Sequence, residues 1–291
     1  MQSPPDPMFS VVIPAHNEEQ VIARCLRRIL AGARPGELEV IVVCNGCSDR
    51  TRAIAESFGP PVRVLELPVP SKTAALNLAD MQSDVFPRIY VDADIEVDID
   101  SLRRTAEVLE RGDAMIAAPR LRINLDGRPW RVRAYWQTWV GLPYVTEDLV
   151  GSGVYGMSSK ARARFDRFPE TFSEDLYVRC LFWREERTVI EGSTFTLHPP
   201  LHLRSLIRAL TRMVAANSRD RSLFGLEIDG LSARQRQRLR ERLLSPRTAP
   251  AAIVYLSITL AARLRARWQR LRNETPIWER DETARSLQGG R

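Results

Sequence analysis

Residues 9–120 alternate short apolar runs with segments whose apolar residues recur at helical spacing, and few folds accommodate that pattern. The runs are Phe9 to Pro14, Leu38 to Val43, Val62 to Leu67, Arg88 to Asp92 and residues 114–119. After the first run, Val21, Ile22, Cys25, Leu26, Ile29 and Leu30 recur as one face of a helix. Asn17 is the expected cap of that helix, with Glu18 and Glu19 at its positive dipole end. Ser48 is expected to cap a helix over residues 49–58, Ser71 one over 72–80, and a further helix is expected over 100–111. Strands that are apolar throughout need cover on both faces, and intervening helices supply it as crossovers. The expectation is an α/β fold with a mixed, mostly parallel sheet flanked by helices. Ligands of such sheets lie beyond the carboxyl ends of the strands. Pro14-Ala15-His16-Asn17, Asn45-Gly46 and Asp92-Ala93-Asp94 all fall there, so they should share one edge.

The run ending in Asp92 gives that edge its chemistry. Residues i and i+2 of a strand share a face, so Asp92 and Asp94 are expected to converge. Two such carboxylates suit a hard divalent cation, although a strand end followed by a capping Asp has the same sequence. Further on, Gly151-Ser152-Gly153-Val154-Tyr155-Gly156 lacks the spacing of a dinucleotide fingerprint. Its glycines instead allow the backbone to pass close to a ligand. Ser173 precedes Glu174 and Asp175 at the start of an apolar helical stretch, an N-cap with acids in the first turn. Two hairpin-like strands, Arg187 to Glu191 and Ser193 to Leu197, are expected next. Trp130, Tyr135, Trp136, Trp139 and Tyr144 crowd the middle of the chain, suiting either a platform for a sugar or lipid or burial against the sheet.

Beyond residue 200 the texture becomes helical and basic, so the expected division is 1–200 and 201–291. Residues 1–195 carry a net charge of −4 and residues 196–291 a net +11, with arginine the only basic side chain of strong charge in the latter. That block calls for an anionic partner. No DNA- or RNA-binding motif accompanies it, which points away from nucleic acid and toward peripheral contact with an anionic membrane. The apolar run Ala249 to Ala262 is 14 residues long, about 21 Å of helix and short of a bilayer crossing. Arg263, Arg265, Arg267, Arg270 and Arg272 follow it at once, so a dipping segment and a buried core helix both fit. Met1 to Met8 has no signal-peptide pattern. Cys25, Cys44, Cys47 and Cys180 are too few for a disulfide scaffold, and Cys44-Asn45-Gly46-Cys47 lacks the second pair of a zinc site. The expected setting is cytoplasmic, at the inner face of the membrane.

In order and spacing, Val12-Ile13-Pro14-Ala15-His16-Asn17-Glu18, Asn45-Gly46-Cys47-Ser48-Asp49-Arg50-Thr51, Lys72-Thr73-Ala74-Ala75-Leu76-Asn77, Asp92-Ala93-Asp94, Gly151-Ser152-Gly153 and Ser173-Glu174-Asp175 resemble the family 2 glycosyltransferases, with the GT-A fold. The resemblance covers roughly residues 9–200. It implies inverting transfer of a sugar from a nucleoside-diphosphate-sugar donor to an acceptor hydroxyl, in the service of cell-envelope glycan. In that picture Pro14, Ala15, Glu18 and the Asn45 region hold base and ribose, and Lys72 sits near the nucleotide. Asp94 is the direct ligand of Mg²⁺ or Mn²⁺, and Asp92 faces ribose or reaches the metal through water. Asp175 is the general base and Glu174 its orienting neighbour. The chain departs from the family pattern at Cys44-Asn45, where an acidic pair is usual. It also lacks the Gln-x-x-Arg-Trp signature of processive synthases, with Arg208 and Arg212 in its approximate place. A sugar nucleotidyltransferase would want a glycine-rich loop where Ala15-His16-Asn17-Glu18-Glu19 stands. A non-catalytic sugar- or lipid-binding module would not need Asp94 and Asp175.

Overall fold

Eight strands form one sheet in the order β3-β2-β1-β4-β7-β6-β8-β5. They are β1 (Phe9–Ala15), β2 (Leu38–Asn45), β3 (Val62–Leu67), β4 (Arg88–Val91), β5 (Glu96–Val97), β6 (Ile116–Ile123), β7 (Val154–Met157) and β8 (Arg187–Leu197). This is a computed structural model, and it describes residues 7–143, 145, 152–170, 173–224 and 233–272, without the side chains of 221–224. Strands β1 to β4 pair in parallel, whereas β7 runs antiparallel to both β4 and β6, and β5 antiparallel to β8. The chain groups into two units: Met1–Arg122 with Leu149–Leu197, and Ile123–Asp148 with His198–Arg291. Compared with a break at residue 200, residues 123–148 belong with the helical unit.

The first unit follows from the apolar runs. Phe9, Val11, Ile13 and Ala15 of β1 join Val40, Val42 and Cys44 of β2 in one buried layer. Val12, Ile41, Val43 and Tyr90 point to the other. This period-2 division leaves both faces needing cover. Helix α1 (Ile22–Leu30) covers the first with Ile22, Cys25, Leu26 and Ile29. After α2 (Thr51–Glu56), helix α3 (Lys72–Asp80) covers the second with Ala75, Leu76 and Ala79. Ser71 caps α3 as its sequence predicts, its hydroxyl accepting from the Ala74 amide at 3.2 Å. Helix α4 (Ile99–Glu110) closes the first layer.

Several local expectations are corrected. Asn17 does not cap α1. It adopts φ 51°, and its side chain reaches across to the next loop. The strand before Asp92 ends at Val91, and Asp92 to Ile95 form a turn in which the Ile95 amide donates to the Asp92 carbonyl at 3.1 Å. Residues 187–197 form one strand rather than two, with Gly192 at φ 71° inside it.

The second unit is built from α5 (Trp130–Trp139), α8 (Leu203–Phe224), α9 (Ala233–Leu244) and α10 (Ala249–Leu271). Its core holds Val132, Tyr135, Leu206, Leu210, Leu239, Tyr255, Ile258 and Ala262. Tyr135 is therefore buried, while Trp130 is 60% exposed. Tyr144 lies outside the described residues. Helix α10 continues 23 residues, through the arginines that follow the apolar run.

Candidate active site

The carboxyl end of the parallel strands carries two differently constructed halves. The first is made by the loops after β1 and β2. Asn45, 4% exposed, donates from its amide to the Ala15 carbonyl at 3.0 Å and to the Val43 carbonyl at 3.4 Å. Its own carbonyl accepts from His16 Nδ1 at 2.5 Å. The Asn17 side-chain oxygen accepts from the Ser48 amide at 2.5 Å and the Asp49 amide at 3.3 Å. The Glu18 amide donates to the Thr51 hydroxyl at 2.6 Å. Gly46 adopts φ 57°, and a Cβ there would stand 2.8 Å from the Pro70 nitrogen, so only glycine fits without displacement. Cys47 donates to the Ala15 carbonyl at 3.3 Å, and its thiol is drawn down to about 7, first by the hydrogen bond with Cys44.

The second half is assembled by β4, β7, the start of α3 and helix α7 (Glu174–Leu181), which follows the short α6 (Ser159–Arg162). Lys72 Nζ stands 2.5 Å from Asp92 Oδ1 and 2.5 Å from Glu174 Oε1. Glu174 is 4% exposed. About a third of the Lys72 and Asp92 side chains remains open to solvent, so water screens that pair. Burial raises the Glu174 carboxyl to about 7; Asp175 and Asp92 add to the rise and Lys72 opposes it. Burial also raises Asp92, with Lys72 opposing and Asp94 adding. For Lys72, burial pulls the ammonium down, but the two carboxylates outweigh it and hold it above the usual lysine range. Two backbone amides fix the Asp175 carboxylate: Leu176 donates to Oδ1 at 2.8 Å and Ser152 to Oδ2 at 3.3 Å. The Asp92 amide donates to the Gly153 carbonyl at 2.8 Å.

A cleft of about 120 Å³ brings together Pro14, Lys72, Asp92, Glu174 and Asp175 from the residues singled out by sequence. Ala15 and Asn45 end β1 and β2, Glu18 lies in the loop after β1, and none of the three lines the cleft; Asp94 stands in the turn after β4, close enough for its charge to act on Asp92. Gly151 lies outside the described residues. Sequence reasoning missed Tyr155. Its ring stacks on Tyr90 with centroids 5.1 Å apart and lines the cleft, and its buried hydroxyl has no hydrogen-bond partner among the described residues. Burial, then the charge of Glu174, pushes that phenol up.

Asp92 and Asp94 are the carboxylates at this edge that could offer oxygen ligands to a divalent cation, with Asp92 Oδ1 engaged by Lys72. Among the described residues no group of three His, Cys, Asp or Glu could hold one. The remaining positions would fall to phosphate oxygens and water, the usual arrangement for Mg²⁺.

The family model described as glycosyl transferase family 2 matches residues 10–168, more than half of the chain, and the chain belongs to that family. Glycosyltransferase AglE of Haloferax volcanii is 33% identical over 93 residues, which is 30% of this chain and 31% of that protein. The probable glycosyltransferase YdaM of Bacillus subtilis is 34% identical over 96 residues, 30% of this chain and 23% of that protein. The chain thus spans a third or less of the length of these curated relatives. Among solved structures, mannosyltransferase PcManGT from Pyrobaculum calidifontis, in complex with GDP-Man and Mn²⁺, matches with a TM-score of 0.58 at 18% identity, over 94% of this chain and 84% of that one. Glucosyl-3-phosphoglycerate synthase from Mycobacterium tuberculosis, in complex with Mn²⁺, UDP and glucosyl-3-phosphoglycerate, matches with a TM-score of 0.51 at 19% identity, over 77% and 82%. At these identities the likeness is one of fold, the GT-A type.

Proposed function

We propose that the chain is a glycosyltransferase moving a sugar from a nucleoside-diphosphate-sugar to an acceptor hydroxyl, with inversion. The observation that carries this reading is the meeting in one cleft of Asp92, Lys72 and the amide-held carboxylate of Asp175. The loops around Asn45 and Asn17, with Pro14, Ala15 and Glu18, would hold base and ribose. Asp94, with Asp92 beside it, would hold Mg²⁺ or Mn²⁺. When bound, that cation supplies Lewis-acid stabilisation of the leaving diphosphate.

Asp175 accepts the proton of the acceptor hydroxyl, whose oxygen then forms a bond to the anomeric carbon as the bond to the diphosphate breaks. The Leu176 and Ser152 amides orient that carboxylate, a preorganisation that general-base catalysis requires. Glu174 and Asp92 hold Lys72 in place, and the ammonium adds positive charge where phosphate oxygens would lie. GDP-Man in the Pyrobaculum relative and UDP in the Mycobacterium one support a sugar nucleotide as substrate and leave the sugar to experiment. A hydroxyl on a cell-envelope glycan, met at the cytoplasmic face of the membrane, is the acceptor class in this proposal.

A thermal-shift screen of nucleoside diphosphates and their sugars, with and without Mn²⁺, tests the reading. One donor should stabilise the chain in a metal-dependent way, and turnover should release a nucleoside diphosphate. Release of pyrophosphate would indicate a nucleotidyltransferase instead, and donor binding without turnover a binding module.

A further inference from the structure

Helix α10 has two unlike faces. Ala252, Tyr255, Ile258, Ala262 and Ala266 are buried, and Tyr255 stacks on Tyr135 with centroids 5.2 Å apart. On the other side Ile253, Leu256, Leu260, Leu264, Trp268 and Leu271 are between 39% and 77% exposed. Their steps of three and four residues keep them in one stripe, running about 27 Å along the axis. Scattered exposed leucines are ordinary, but a contiguous stripe of large apolar side chains marks an interaction surface. Arg263, Arg267 and Arg270 are exposed along the same side, and the helix contains no Asp or Glu. Arg272 lies over the Trp268 ring, 3.8 Å from its centroid.

We propose that this face docks flat on an anionic phospholipid surface. The apolar side chains enter the boundary between headgroups and acyl chains, and the arginines bind lipid phosphates. Charge selects this occupant. Pairing with a second copy would set one arginine-bordered stripe against another with no carboxylate between them. An anionic bilayer neutralises the whole stripe. Helix α10 is long and apolar enough, by length and composition, to cross a bilayer. Its buried face against the helices of its own unit, and four arginines among residues 263–271, fit an in-plane seat instead. The inference stands apart from the glycosyl-transfer reading, since it concerns binding alone.

The test is co-sedimentation of the full chain with phosphatidylcholine vesicles, with and without phosphatidylserine, at low and high salt. Binding should require the anionic lipid and fall with salt. Arg263→Gln with Arg267→Gln should weaken it about tenfold or more, and Leu260→Asn with Leu264→Asn should do likewise. Met81→Asn, at the exposed position just after α3, should change nothing. Should the paired variants fail to fold, quenching of tryptophan fluorescence by brominated anionic lipid, lost in Trp268→Phe, reports the same contact. Absence of binding at low salt overturns the proposal, as does equal binding to neutral vesicles. Retention after high-salt washing would indicate a spanning helix, and a dimer dispersed by Leu260→Asn a second copy; either result overturns it too. Transfer to a soluble acceptor should be unaffected by Leu260→Asn, which separates this question from the chemistry.

Discussion

The two halves of the sheet edge are held on opposite physical terms. Around Asn17 and Asn45, most of the bonds joining the loops after β1 and β2 link neutral groups and many end on backbone atoms, with one exposed Arg50–Glu19 pair and the Asp49 carboxylate at their edge. Around Asp92 the contacts are ionic, and Lys72 faces Asp92 and Glu174 while Asp94 and Asp175 add further negative charge. The second half carries more carboxylate than its lysine neutralises, an excess that the divalent cation of the proposed function would offset. On the proposed function, the difference separates recognition from chemistry, and each can be attacked without the other.

The largest effect should come from Asp175→Asn. Removing a positioned base costs roughly 10²–10⁴ in rate, so kcat should fall by that order while donor binding in a thermal-shift titration stays nearly intact. Ordinary turnover in this variant would end the assignment of Asp175. Next, Asp94→Ala should weaken metal-dependent donor binding by more than the roughly 10–100-fold seen when a supporting residue around a metal is lost. Calorimetry with and without Mn²⁺ measures the difference, and a loss equal in both conditions would contradict the ligand role.

Glu174 gives the third prediction. Its folded-state carboxyl titrates at about 7 against an ordinary 4.5, so the folded chain holds the extra proton between those values. Stability from this group is present below about 4.5 and is lost as pH rises through 7, on the order of 1–3 kcal/mol. Glu174→Gln should flatten the unfolding midpoint over that window; an unchanged slope would refute the linkage. The smallest effect belongs to the half around Asn17 and Asn45. Asn17→Ala removes the bonds to Ser48 and Asp49 at a residue with φ 51°, for about 1–2 kcal/mol. That loss should be the same at low and high salt, and salt dependence would blur the contrast between the halves.

The parallel strands and their shared edge were legible because period-2 apolar runs and helical spacing are local signals. The route by which Asp92 and Asp94 come near each other was not. Strand alternation was the expected cause, yet β4 ends at Val91 and a turn places Asp94. Asn17 reads locally as a helix cap, but its partners lie about thirty residues away in sequence, where no local propensity can point. The break expected at Gly192 came from reading glycine as a turn, yet β8 runs through it with Gly192 at φ 71°. Tyr155 escaped notice because an aromatic residue in an apolar strand looks like core. Only the stack on Tyr90 and the carboxylates beside it reveal a hydroxyl at the cleft.

Strand β7 pairs antiparallel to β4, and the Gly153 carbonyl just before it receives the Asp92 amide. Gly153 has φ 114°, and a Cβ there would stand 2.6 Å from Ile95. Sequence order adds a temporal reading. A nascent chain that has emerged only as far as residue 150 contains all four parallel strands, but β4 is then a sheet edge with unpaired backbone groups. Glu174 and Asp175 have yet to be synthesised. The arrival of β7 therefore seals that edge first, and the acidic cluster is completed only afterwards, when Glu174 and Asp175 follow it.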